Sequence, residues 1–170
     1  MDDRAIVALQ LGRTPRAFGR VVVRCPYGSP AVTEQRPYDA QGEPFPTTYY
    51  LTCRHLVAAI ARIEAAGGVE RWSGAAAEDD ELGISLAVAT EDQQRMRREL
   101  AGDERGIDGG ASLASGIGGS RTPTRLKCLH AHAAFALARP GYVLGERILA
   151  EVPELWPTGD CCVGALLGGD

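Results

Sequence analysis

Residues 125–138 read RLKCLHAHAAFALA, and how this stretch is laid onto secondary structure decides the fold. Beyond Lys127 it carries no permanently charged side chain and is apolar almost all round, the pattern of a helix buried at the centre of a domain. Thr122-Pro123-Thr124 supplies capping chemistry at its start and Pro140-Gly141 ends it, so the expected helix runs over about 123–139. On a regular wheel Leu126, Leu129, Ala133, Ala136 and Leu137 form one face with His130 at its edge, and Cys128, His132 and Phe135 form a second flank. Cys128 and His132, four residues apart, can then meet or hold a common ion. His130 is turned away from them by about 160° and faces the main core.

Upstream, the β-rich runs 20–24 and 31–35 are separated by PYGSP and read as a hairpin, and 47–52 (TTYYLT) reads as a third strand. From Thr52 the signals become helical. Leu56, Ile60 and Ile63 share a face and Gly67-Gly68 stops the helix, with Cys53 pointing inward at its amino end and His55 outward. Residues 72–78 read as a connector, 79–101 as a second amphipathic helix, and 141–152 as a short helix halted by Pro153. The glycine- and serine-rich segment of about 102–121 is expected to be a flexible loop without regular structure. The tail of about 153–170, with its adjacent Cys161 and Cys162, is expected to be irregular.

The chain has 170 residues and a net charge of -4, which suits a single domain over 1–170 and offers no electrostatic case for nucleic acid as a partner. No apolar run approaches the roughly 20 residues that span a bilayer, and the acidic start, MDDRAIVALQLGR, lacks a signal-peptide pattern, so the expected location is cytoplasmic with no membrane partner. Five cysteines without CxxC spacing fit reduced thiols in such a compartment.

Three readings of the thiols and imidazoles stay open. In one they only pack the core. In another, Cys25, Cys53 and Cys128 with a histidine, His130 or His132, bind zinc or iron, because thiolate and imidazole suit these ions. In the third, Cys53 or Cys128 is a reactive thiolate: Cys53 sits where a helix dipole favours negative charge, and Cys128 has an imidazole to act as base. Gly116, Gly118 and Gly119 let backbone N–H groups converge ahead of Arg121, Arg125 and Lys127, which suits a small phosphate or carboxylate ligand. The spacing is not that of a P-loop.

LGRTPRAFGRVVVRCPYGSP, PFPTTYYLTCRHLVAAIARIEAAGG and RLKCLHAHAAFALA together resemble the bacterial, mainly actinobacterial, family of domain of unknown function 501. The resemblance covers most of the chain and implies no established activity. It singles out Cys25 in VRCP, Cys53 in YLTC, Cys128 and His130 in KCLHA, and 116–119 in the loop, and so favours His130 over His132 as the functional imidazole. Arg54 departs from the family pattern, in which proline commonly follows the cysteine.

The expected architecture is therefore α+β, a small antiparallel N-terminal sheet against three or four helices, one of them central and buried. The expected function is a Cys/His metal or reactive-thiol site beside an anion-binding loop, with Cys53, Cys128, His130 and His132 as the candidate chemical groups. The competing class is a non-enzymatic interaction module, in which an exposed aromatic such as Trp72 or Trp156 meets a protein partner.

Overall fold

A computed structural model describes residues 1–159 and 161–167. Three strands, β1 (Phe18–Arg24), β2 (Pro30–Gln35) and β3 (Tyr49–Leu51), form an antiparallel sheet in the order β1-β2-β3. The β1–β2 turn closes where the proline- and glycine-rich punctuation places it: Cys25 N–H donates to the Ser29 carbonyl at 2.9 Å, and Gly28 takes a φ of 81°. β2 is paired on both edges and buried throughout.

The helices are α1 (Asp3–Leu11), α2 (Arg54–Ala65), α3 (Gly68–Glu78), α4 (Asp80–Ala101), α5 (Leu129–Ala138), α6 (Val143–Leu149) and α7 (Gly164–Leu167). The α+β expectation holds, and α5 is the central buried helix: Leu129, Ala133, Ala134 and Phe135 are at most 1 % exposed, packed against β3, α2 and α6. Small alanine side chains let those three elements approach it closely. No helix among the described residues is long and apolar enough to cross a membrane.

Several elements depart from expectation. Residues 3–11 form a helix that the acidic opening did not suggest, capped by the Asp2 carboxylate, which accepts from Ala5 N–H at 2.8 Å, and pinned by buried Val7. The supposed connector 72–78 belongs to α3, whose helicity comes from packing on α4. Their approach leaves Gly83 no room for a side chain, because a Cβ there would lie 2.9 Å from the Ala76 carbonyl oxygen. The segment 102–121 contains two 3-10 helices, Ala111–Ala114 and Ile117–Gly119, with Leu113 and Ile117 buried. It is fastened by Arg97 of α4, fully buried, whose guanidinium donates to the carbonyls of Phe45 and Ser112 at 2.9 and 3.3 Å. The tail holds one short helix, α7.

The correction with chemical consequences concerns the start of α5, which lies at Leu129 and not near residue 123. The single Ser120 hydroxyl hydrogen is shared between the carbonyls of Thr122 and Arg125, at 2.7 and 3.0 Å, and Arg125 N–H donates to the Thr122 carbonyl, so the Thr-Pro-Thr segment closes an isolated turn. Leu126 N–H is then taken by Ser73 Oγ of α3 at 3.2 Å, and the Leu126 side chain is buried. Cys128 is left extended, at φ -156° and ψ 122°, as the residue before the helix.

Candidate functional site

Because Cys128 precedes α5, its side chain does not follow the helical wheel, and the expected Cys128–His132 pair does not form. Cys128 Sγ instead lies 3.8 Å from Nδ1 of His130. His132 turns into the core, 1 % exposed, with Nδ1 2.7 Å from the Tyr142 hydroxyl and Nε2 buried with no partner among the described residues. The two histidines thus exchange the places that the wheel assigns them.

The third member of the group is Glu64, near the carboxyl end of α2. Its Oε1 accepts the Leu129 N–H at 2.6 Å, supplying the amino end of α5 with the cap that the Cys128 side chain does not provide, and lies 3.2 Å from His130 Nδ1. Val57, two helical turns before Glu64 on the same face of α2, accepts from His130 Nε2 through its carbonyl at 3.0 Å. A carbonyl can only accept, so Nε2 carries a hydrogen, and Nδ1 is the nitrogen that faces Glu64 and Cys128. Glu64, Cys128 and His130 place one donor atom each within 4.8 Å of one another, and all three residues are half-buried. With no ion among them, the Cys128 thiol, the Glu64 carboxylate and the Val57 carbonyl outweigh burial and push the His130 pKa up to about 9.

Cys128 and His130 open onto a cavity of about 530 Å³ that is also lined by Tyr49, Tyr50, Thr52 and Arg54. Among the described residues Arg54 has no ion-pair partner, and it stands where the resembled pattern has proline.

Cys25 and Cys53 do not join this group, contrary to their expected place as ligands beside Cys128 and His130. Cys53 Sγ faces Cys162 at 3.7 Å and Cys25 Sγ faces Cys161 at 4.0 Å. Burial pushes the Cys53 thiol up to about 11, so its place at a helix start does not make it a ready thiolate.

The glycine loop is built for packing. Gly118 and Gly119 have φ of 69° and 76°, and a Cβ on Gly119 would fall 2.5 Å from Cβ of Pro46. The N–H groups of Gly116 and Gly119 donate within the loop, to Ser120 and Gly116 at 2.8 and 3.0 Å, and do not converge on an outside anion. Arg125 pairs with Glu70 at 3.2 Å. Arg121 and Lys127 line, with Gly119, Ser112 and Ser115, a separate cavity of about 640 Å³. The amino end of α5 already holds the Glu64 carboxylate.

Sequence reasoning missed Glu64, although one signal pointed to it: a carboxylate in the last turn of a helix opposes the helix dipole and calls for another reason to be there. Arg54 and the Val57 carbonyl carried no comparable mark. No curated protein and no solved structure matches the chain. A family model described as "Protein of unknown function (DUF501)" matches residues 21–150, which include all three members of the cluster, and the chain belongs to that family.

Proposed function

We propose that Glu64, Cys128 and His130 bind one transition-metal ion, zinc in the first instance with iron as its competitor, and present it to a small anionic ligand in the cavity beside Arg54. The observation that carries this reading is the convergence of thiol, imidazole and carboxylate on one point, with His130 Nε2 already held by the Val57 carbonyl. Tetrahedral zinc, with bonds of about 2.0–2.3 Å, sets its nitrogen and oxygen ligands about 3.4 Å apart and its nitrogen and sulfur ligands about 3.6 Å apart. The separations here are 3.2 and 3.8 Å. A carbonyl holding the far imidazole nitrogen and an amide holding the carboxylate are the outer contacts that fix metal ligands in place.

Three protein ligands and one position open to a cavity form the arrangement in which zinc activates water or polarises a ligand oxygen. Arg54, which lines the same cavity, would receive a carboxylate or phosphate group of that ligand, in place of Arg121, Arg125 and Lys127. A cytoplasmic setting belongs to this reading, since a thiolate ligand must be kept reduced.

Metal analysis of protein purified without chelators is expected to give close to one zinc or iron per chain, lost in His130→Ala and Cys128→Ser but kept in His132→Phe. Cobalt substitution should show a thiolate-to-cobalt charge-transfer band that disappears in Cys128→Ser. Protein that binds none of these ions sinks the proposal. The second reading, a reactive Cys128 thiolate paired with His130, draws on the 3.8 Å contact and the open cavity. It predicts fast alkylation of Cys128 in metal-free protein, slowed in His130→Ala. Failure of both leaves the interaction-module class.

A further inference from the structure

The four cysteines outside the metal cluster meet in two pairs joining the two ends of the chain. Cys25 follows β1, and its sulfur lies 4.0 Å from that of Cys161. Cys53 precedes α2, and its sulfur lies 3.7 Å from that of Cys162. Three further contacts bring the C-terminal segment to this end of the sheet, where β1 and β3 finish beside the start of β2. The Tyr27 hydroxyl donates to the Pro157 carbonyl at 2.6 Å, His55 Nε2–H donates to the Glu154 carbonyl at 2.7 Å, and the Gln10 amide reaches the Cys162 sulfur at 3.9 Å. Adjacent residues thus send their sulfurs to two different partners, an arrangement that opposes a bond between Cys161 and Cys162 themselves. Among the described residues no three of these sulfurs lie within 4.8 Å of one another, so they do not make the closed donor set of a single metal ion.

We propose that this is an oxidation site at which a hydroperoxide converts the two pairs into disulfides, Cys25–Cys161 and Cys53–Cys162, fastening the C-terminal segment to the sheet and to the start of α2. Each pair joins one buried and one half-buried thiol, and the hydrogen bonds of Cys161 set the order of reaction. Cys161 is half-buried and its sulfur lies 3.2 Å from the Ser29 hydroxyl. Burial raises its pKa, but the Ser29 contact and neighbouring hydrogen bonds outweigh burial and lower it overall, whereas the Cys53 thiol is held high. Cys161 thiolate attacks one peroxide oxygen: an S–O bond forms, the O–O bond breaks, and the other oxygen leaves as hydroxide or alkoxide. Cys25 sulfur then attacks the Cys161 sulfenic acid. The S–S bond forms, the S–O bond breaks, and the oxygen departs as water with the Cys25 proton. Two thiols lose two electrons and the peroxide gains them. A second peroxide equivalent oxidises Cys162, and Cys53 resolves it more slowly. The resulting bonds span 136 and 109 residues, long closures that constrain the unfolded chain.

The test treats the reduced full-length protein with hydrogen peroxide in stoichiometric steps, traps remaining thiols with N-ethylmaleimide, and maps linked peptides by mass spectrometry under non-reducing conditions. Cys161 and Cys162 share a tryptic peptide, so C161S and C162S assign the bonds. The expected first product is the Cys25–Cys161 link, absent in C161S, followed by the Cys53–Cys162 link, absent in C162S. Cys128 stays alkylatable once any metal is removed. Before oxidation, Cys161 should alkylate on the order of tenfold faster than Cys53. The oxidised wild type should also melt at a higher temperature than the reduced protein. A Cys161–Cys162 bond, links only between molecules, four thiols still free after excess peroxide, or a metal ion lost in C161S and C162S would each overturn the proposal. Loss of metal in His130→Ala with the two disulfides intact separates this site from the Glu64–Cys128–His130 reading.

Discussion

Acidification should unfold this protein through His132, and the size of the effect follows from its surroundings. The ring is fully enclosed in the core, shares one hydrogen bond with the Tyr142 hydroxyl, and pairs with no carboxylate among the described residues. A protonated ring would add a second N–H and a positive charge to this apolar site, and burial pushes the pKa down to about 3. In the unfolded chain the value returns to about 6.5, so as pH falls through 6.5 the unfolded state takes up a proton that the folded state refuses. Stability from this group is intact above pH 7 and declines by up to about 1.4 kcal/mol per pH unit between about 6.5 and 3; integrated from pH 7 to pH 5, the loss is about 2 kcal/mol. The assay is urea unfolding of wild type and His132→Phe at pH 7, 6 and 5. The variant leaves the Tyr142 hydroxyl unpaired, a cost of about 1–3 kcal/mol at pH 7. His55, His130 and every carboxylate remain in both proteins, so their titrations cancel in the difference. That difference should shrink by about 2 kcal/mol at pH 5. Parallel pH profiles would refute the reasoning and mean that the ring is solvated or paired in solution.

Glu64 serves both the cluster and the α5 cap, and two substitutions separate the roles. Glu64→Gln keeps an acceptor for Leu129 N–H and should lower metal content with little loss of stability, while Glu64→Ala should also cost about 1 kcal/mol in chemical denaturation. Gly119→Ala should destabilise by about 1–3 kcal/mol, since it meets Pro46 as well as a positive φ. Gly67→Ala, at φ 82° with open space around it, should cost only the backbone share of about 1 kcal/mol, and equal melting temperatures for the two would remove the packing argument. Arg97→Met should leave the Phe45 and Ser112 carbonyls without their donor, costing about 2 kcal/mol or more, and limited proteolysis should then cut first within 102–121.

Much of the fold was legible because several elements announce themselves locally. Thr47–Thr52 and the PYGSP turn marked the sheet, and the long amphipathic run over 79–101 marked α4, which the structure caps with the Asp79 carboxylate accepting from Glu81 and Leu82 N–H. The hidden elements are those whose cause lies elsewhere in the chain. α3 has the composition of a linker, and its helicity rests on α4 packed so closely that only glycine fits at position 83. The loop 102–121 has the composition of a flexible segment and is ordered by a buried arginine some way upstream, which no local pattern connects to it.

The candidate site failed to appear on the helical wheel for a related reason. A wheel presumes that every residue of the window is helical, and the decisive residue, Cys128, is the first that is not. Moving the start of α5 from residue 123 to Leu129 takes Leu126 out of the helix, though it stays buried, and it releases Cys128 from the His132 side to meet His130. What sets that start is tertiary. Ser73 takes the Leu126 N–H and Glu64 takes the Leu129 N–H, so α3 and α2 dictate where the last extended residue falls. The same carboxylate that fixes the end of the helix lies against His130, so the placement of the cap and the assembly of the cluster are a single event. A substitution that shifted the start of α5 by a few residues would therefore remove the site without touching any of its three side chains.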